Sequence, residues 1–352
     1  MSDECPEILY QSFNQDLTYF LIGTKEGCTI YKTEPYRYGF KLSIKGIFSM
    51  VKMLNSSNIF VIVGSLKNQN LSNEEVLVWD EKIKKKIYQF SIKKQVLNLE
   101  LTSDKIIVVC EFIIYIFSTK NFQLIDIIKT GKNIDGLIAV SYKETNILVY
   151  PSIGKEYGKL TIKNYDTQSY LYLNPTDGEV SNITLSYNGL FLATVIKKDG
   201  LDNKIKIFLA KTGMYLDEFT REEKEDNILC TSFSKDNNFF SISLSKGIIP
   251  VWSLKKAKIL IGQGNEIGIA SNIHGFNWIF SPSTNEKPPN IVHLKDNPNY
   301  VDVKLGLSNK LYIITSNGKY SIIEFDGSKK IKKKEEEFKP IEENKDLFPN
   351  NN

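Results

Sequence analysis

The sequence predicts an all-β fold, a seven-bladed β-propeller of the WD-repeat type closed into a ring. Three observations predict it. First, apolar, β-branched and aromatic residues come in runs of four to eight, cut by Gly, Asn, Asp, Ser and Lys, as in Ile59-Phe60-Val61-Ile62-Val63, Lys105 to Val109 and Leu311 to Thr315. No amphipathic helical period is sustained before the C-terminal stretch. Second, a strand ending in an aromatic residue recurs at Tyr31, Trp79, Phe117, Tyr165, Phe208, Trp252 and Phe325, in steps of 48, 38, 48, 43, 44 and 73 residues. Five of these steps lie near the roughly 40–45 residues of one WD-type blade. Third, Trp79-Asp80 keeps the WD dipeptide itself.

The physical logic is that one four-stranded sheet cannot cover both of its faces. Stacking sheets around a ring covers them and hides most strand edges. The same strands could instead form a pair of β-sandwiches. Seven anchors give seven blades over residues 8–327, after a short N-terminal extension at 1–7. The long last step implies an insertion between Trp252 and Tyr300, where Gly262, Gly264, Gly268, Gly275, Pro282, Pro288 and Pro289 mark loops. From Ser328 to Asn352 the pattern stops. Lys332-Lys333-Lys334 precede Glu335-Glu336-Glu337, a composition that predicts a flexible, charged tail.

Composition narrows the function. With 41% apolar residues and 12% aromatic, the 352-residue chain is globular. A net charge of +4, without a Lys/Arg stripe interleaved with aromatics, argues against nucleic acid. No apolar run reaches the 18 residues of a membrane span. The polar start, Met1 to Pro6, does not read as a secretory signal. Cys5, Cys28, Cys110 and Cys230 are far apart and read as reduced thiols of a cytoplasmic protein. His274 and His293 are the two histidines, neither with a second ligand at metal spacing, and no glycine-rich phosphate loop opens a helix. These features predict neither a metal, nor a cofactor, nor a catalytic set.

Several stretches resemble the PROPPIN family, the WIPI-type phosphoinositide-binding propellers of autophagy. They are Ser12-Phe13-Asn14-Gln15-Asp16 with Gly23, Gly27 and Tyr31 to Pro35; Val76 to Asp80; Asp104 to Val109 with Ile114 to Phe117; Asn146 to Pro151; and Cys230 to Asp236 with Lys246-Gly247. The resemblance covers about residues 8–326 in one register. It implies a peripheral membrane adaptor that binds phosphatidylinositol 3-phosphate or the 3,5-bisphosphate at two pockets and recruits autophagy-type protein partners. The implied location is cytoplasmic, on autophagic or endosomal membranes, and the implied state is monomeric.

The family's Phe/Leu-Arg-Arg-Gly motif sends one arginine to each pocket. A phosphomonoester carries about −1.5 to −2 charges and three acceptor oxygens, which guanidinium forks and hydroxyl donors match. Here the motif reads Phe219-Thr220-Arg221-Glu222: Thr220 replaces the first arginine, Arg221 keeps the second, and Glu222 replaces the glycine. In the fifth-blade pocket, Ser181 matches a family serine, Thr176 stands where many members have histidine, and Ile196 stands at a donor position. In the sixth-blade pocket, Ser243 matches a family serine, with Ile248 and Pro250 at threonine and histidine positions. From Asp217 to Asp226, six acids (217, 218, 222, 223, 225 and 226) oppose two bases (221 and 224), a sum of −4.

The family's membrane-dipping loop corresponds here to a region beginning Lys255, Lys256, Ala257, Lys258, Ile259, Leu260 and Ile261, basic residues beside an apolar triplet. The same pattern also suits an ordinary strand. Two functions follow: an adaptor whose phosphoinositide contact is weakened, or a protein-interaction scaffold that has lost it.

Overall fold

A computed structural model describes residues 7–68, 70–154, 158–175, 178–198, 201–220, 227–255, 257–258, 290–294, 301–306, 309–325 and 331–337. Among these, 28 strands form seven four-stranded antiparallel sheets, each built from four strands consecutive in sequence. This is the architecture of a seven-bladed β-propeller, all-β as the sequence predicts.

The chain divides into two compact units. The first comprises Met1–Gly136, Tyr312–Ile322 and Lys334–Asn352. Its three complete sheets are β1 Tyr10–Phe13, β2 Tyr19–Thr24, β3 Gly27–Lys32 and β4 Arg37–Lys41; β5 Met50–Met53, β6 Ile59–Val63, β7 Glu75–Asp80 and β8 Lys85–Ser91; and β9 Asn98–Leu101, β10 Lys105–Val109, β11 Ile113–Ser118 and β12 Leu124–Lys129. The second comprises Leu137–Leu311 and Ile323–Lys333. Its sheets are β13 Ala139–Val140, β14 Ile147–Pro151, β15 Leu160–Asn164 and β16 Ser169–Leu173; β17 Glu179–Leu185, β18 Phe191–Lys198, β19 Leu201–Leu209 and β20 Met214–Thr220; and β21 Ile228–Phe233, β22 Phe239–Leu244, β23 Ile248–Ser253 and β24 Asn290–His293. The seventh sheet is β25 Val301–Leu305, β26 Lys310–Thr315, β27 Lys319–Phe325 and β28 Ile331–Glu337.

Burial explains the sequence pattern strand by strand. Second and third strands are covered on both faces, so β6, and β10 after Lys105, read as unbroken apolar runs. First strands such as β5 and β9 alternate between buried and half-buried residues. Fourth strands have one free edge, and β8, β12 and β16 are largely exposed. The aromatic anchors close the third strands: Tyr31, Trp79, Phe117, Phe208, Trp252 and Phe325 lie on them, and Tyr165 follows β15 directly.

The core sits between consecutive sheets. Val61, Val63, Val76 and Val78 of the second sheet meet Leu99, Leu101, Ile106 and Val108 of the third. In the first unit, Phe20 and Tyr31 pack with Tyr320, whose hydroxyl donates to the Thr33 carbonyl at 3.1 Å. In the second, Phe191, Ile205 and Phe219 of the fifth sheet pack with Phe240, Ile242 and Trp252 of the sixth.

One expectation is corrected. The seventh sheet does not end by residue 327, because β28 carries the lysine and glutamate blocks from Ile331 to Glu337. A block of lysines followed by a block of glutamates suits an edge strand as well as a tail, and inter-strand hydrogen bonds, invisible to composition, make the difference. Residues 338–352 and most of the insertion after Trp252 lie outside the described residues.

Candidate functional site

The motif is placed by the end of β20. Phe219 is fully buried there, its ring stacked on Trp252 with centroids 5.1 Å apart and planes 13° apart. A second ring, Phe240, lies 6.2 Å away. Thr220 is the last residue of β20, opposite Lys204 on β19. Arg221 and Glu222 lie outside the described residues, as do Thr176 and Lys256 and the triplet Ile259, Leu260 and Ile261.

In the fifth sheet, β17 and β18 lose register between Val180 and Asn182, so Ser181 is the extra residue of a β-bulge. The sixth sheet repeats the irregularity between Ile228 and Cys230. A bulge re-aims side chains at one point of a strand without ending it. Beyond the bulges, Asn182 Oδ1 accepts from the Thr231 hydroxyl at 2.8 Å, and the Thr184 hydroxyl, within reach of both oxygens, donates its one proton to one of them. Ile196 is buried opposite Val180 and adds no donor.

Ser243 is fully buried on β22, opposite Cys230. Its hydroxyl oxygen accepts from the Cys230 amide at 3.2 Å and lies 3.0 Å from the Cys230 sulfur. The sulfur in turn accepts from the Val303 amide at 3.1 Å. Burial first, and the Asp302 carboxylate second, push the Cys230 thiol up to about 11. Pro250 is buried and Ile248 half-buried on β23, so neither position supplies a polar group.

Two bases that sequence reasoning missed stand on β19. Lys204 pairs with the buried Glu218 at 2.9 Å, and Lys206 donates to the Pro175 carbonyl at 2.7 Å, beside Thr176. Their signal was the Lys-Ile-Lys alternation of Lys204 to Lys206, which puts both lysines on one face. Nearby, burial followed by Glu218 and Asp217 pushes the Tyr215 phenol up to about 12.

The start of the proposed membrane loop is helical at Lys255, Ala257 and Lys258 rather than extended. Lys255 is exposed. Lys258 is anchored, its Nζ donating to the Asp236 carbonyl at 2.8 Å and to Asn238 Oδ1 at 2.7 Å. Among the described residues, no group of three His, Cys, Asp or Glu side chains is placed to hold a metal ion, and no helix is long and apolar enough to cross a membrane.

Seven four-stranded antiparallel sheets, each from four strands consecutive in sequence, define a WD-type propeller. The PROPPIN family model matches residues 8–318, and the chain belongs to that family. It is 27% identical over 284 residues, 70% of this chain and 52% of the relative, to autophagy-related protein 18 of Komagataella pastoris. It spans about half to two thirds of the length of the curated relatives it matches, 52%, 65% and 66% for three of them. Among solved structures, a complex of KlAtg21 with the coiled-coil of AgAtg16 superposes with a TM-score of 0.76 at 17% identity, covering 94% of this chain and 99% of that one. Hsv2 of Kluyvelomyces marxianus superposes with a TM-score of 0.72 at 17% identity, covering 91% and 93%. At these identities the structural likeness carries the fold alone.

Proposed function

We propose that this chain is a non-enzymatic adaptor of autophagic or endosomal membranes. It contacts phosphatidylinositol 3-phosphate or the 3,5-bisphosphate weakly and recruits a protein partner. The observation that carries the reading is the family match running through the fifth and sixth sheets, with Phe219 held against Trp252 where the motif begins. Arg221 is the residue that would grip phosphate, with Ser181, Thr176 and Thr220 on the fifth-sheet side. The Ser243 hydroxyl already serves Cys230, so in this reading Ser243 braces the sixth-sheet side. One missing guanidinium fork weakens affinity by about 1.5–3 kcal/mol. That an Atg16 coiled-coil was solved bound to KlAtg21 supports a helical protein partner of the same kind.

The test is flotation with neutral phosphatidylcholine vesicles, with and without phosphatidylinositol 3-phosphate. Weak, phosphoinositide-dependent flotation that Arg221→Ala abolishes is the expected result. Tight binding indifferent to Arg221 would sink it.

A second reading, a scaffold without lipid binding, is favoured by the committed Ser243 and by the apolar Ile248 and Pro250. It predicts no phosphoinositide-dependent flotation, with capture of a coiled-coil partner retained.

A further inference from the structure

The first unit carries a basic surface of its own. It is the turn between β7 and β8 and the start of β8, where residues 82–88, Lys-Ile-Lys-Lys-Lys-Ile-Tyr, are all exposed. Ile83 is 53% exposed, Ile87 39% and Tyr88 42%, which is unusual for three large apolar side chains within six residues. The Tyr88 ring stacks on Phe122 of the neighbouring sheet at 5.4 Å, so its exposure is fixed rather than frayed. Lys84 adopts φ 53°, the left-handed conformation that turns the chain at this point.

The four lysines of the turn outnumber the acids beside them, and of the two adjacent acids one, Glu81, faces inward. Glu81 is buried and accepts from the Ser43 hydroxyl at 2.9 Å and Trp79 Nε1 at 2.8 Å. Asp80 accepts from Asn58 and from the Lys82 amide. Lys86 reaches Gln89 at 2.8 Å. Lys82, Lys84 and Lys85 have no ion pair or side-chain hydrogen bond among the described residues. A turn that projects free lysines around an exposed isoleucine, on an edge strand, offers positive charge and a shallow apolar tip without a pocket.

We infer that the β7–β8 turn is a contact for an anionic bilayer surface, independent of any phosphoinositide pocket. The lysines would meet anionic headgroups, each adding about a factor of five to partitioning near a charged leaflet. Ile83 and Tyr88 would enter the headgroup layer, where an apolar side chain and an amphipathic ring are both favoured. A flat, fluid surface suits projecting tips, whereas a folded protein partner would want a complementary groove.

The experiment uses the full chain and phosphatidylcholine vesicles with about 30% phosphatidylserine and no phosphoinositide, at low salt, to maximise the surface potential. Wild type should float with these vesicles and not with pure phosphatidylcholine. The quadruple change Lys82→Glu, Lys84→Glu, Lys85→Glu and Lys86→Glu should weaken binding at least tenfold, and Ile83→Ser severalfold. All five side chains are exposed, so an unchanged melting curve is expected, and it guards against misfolding. The quadruple change Lys45→Glu, Lys67→Glu, Lys93→Glu and Lys94→Glu alters net charge equally and should have a much smaller effect. The inference is overturned if wild type does not bind, if the two quadruple variants lose binding alike, or if the turn variant binds undiminished. It is also overturned if the turn variant loses only a polyglutamate peptide, which would assign the turn to an acidic protein segment. Phosphatidylinositol 3-phosphate in neutral vesicles reports on Arg221 separately, so the two readings fail independently.

Discussion

Phe219 and Trp252 stack nearly parallel, 5.1 Å apart, tying the last strand of the fifth sheet to the third strand of the sixth. The residue that opens the basic motif is therefore a packing residue, and the motif's placement depends on it. Removing its ring leaves a cavity among Phe240, Trp252 and Leu216. Phe219→Ala should cost about 3–5 kcal/mol in stability, as for other buried aromatic truncations. Urea unfolding followed by tryptophan fluorescence checks this. A loss under 1 kcal/mol would mean that the stack is not maintained in solution.

Restoring the motif should restore binding. Thr220→Arg with Glu222→Gly supplies one guanidinium fork and removes one opposing charge. Affinity for phosphatidylinositol 3-phosphate vesicles should rise tenfold or more, since such a fork contributes about 1.5–3 kcal/mol. Titration by fluorescence-detected vesicle binding measures it. No gain would indicate that the fifth-sheet side cannot hold a headgroup.

The described thiols should be inert. Burial pushes Cys28 up to about 12, and Cys110 and Cys230 up to about 11, although Cys230 is partly exposed as a residue. At pH 8 each is almost wholly protonated, and the thiolate is the reactive form. In a Cys5→Ser background, native protein should resist a chromogenic disulfide reagent for as long as it stays folded, then release three equivalents in denaturant. Rapid native labelling at Cys230 would contradict the bonding seen to Ser243 and Val303.

Asp236 should sharpen acid unfolding. Burial alone would raise its carboxyl, but hydrogen bonds from Ser234 at 2.6 Å and from the amide and side chain of Asn238 at 3.0 and 2.7 Å outweigh it and lower it. A depressed folded value stabilises the protein above the unfolded value, near 3.9, and that contribution is lost as pH falls through the folded value. Asp236→Asn should therefore lower stability at pH 7 and flatten its decline below about pH 4. An identical acid limb in wild type and variant would show that the carboxylate is not linked to folding.

Much of the architecture was legible because third strands are buried on both faces and select aromatic and β-branched residues. Tyr31, Trp79 and Phe208 marked them at a regular step without any knowledge of partners. The candidate site was less legible. Ser243 was visible as a serine, but its bond to Cys230 follows from cross-strand register after a bulge, and nothing in the local sequence fixes that register. Lys258 looked like membrane-facing charge, yet it is tied to Asp236 and Asn238, 22 and 20 residues away. The lysine and glutamate blocks of β28 looked like a tail because charge alone does not distinguish solvated coil from an edge strand.

By itself, the sequence determined the strand content and the sevenfold recurrence. These are properties of residue type and spacing, and local chemistry encodes them directly. Only the tertiary structure decided which polar groups are already spent and which remain exposed. Glu81 turns inward to Ser43 and Trp79, while Lys82, Lys84 and Lys85 stay in solvent, because hydrogen-bond partners are chosen by pairing between residues distant in the chain.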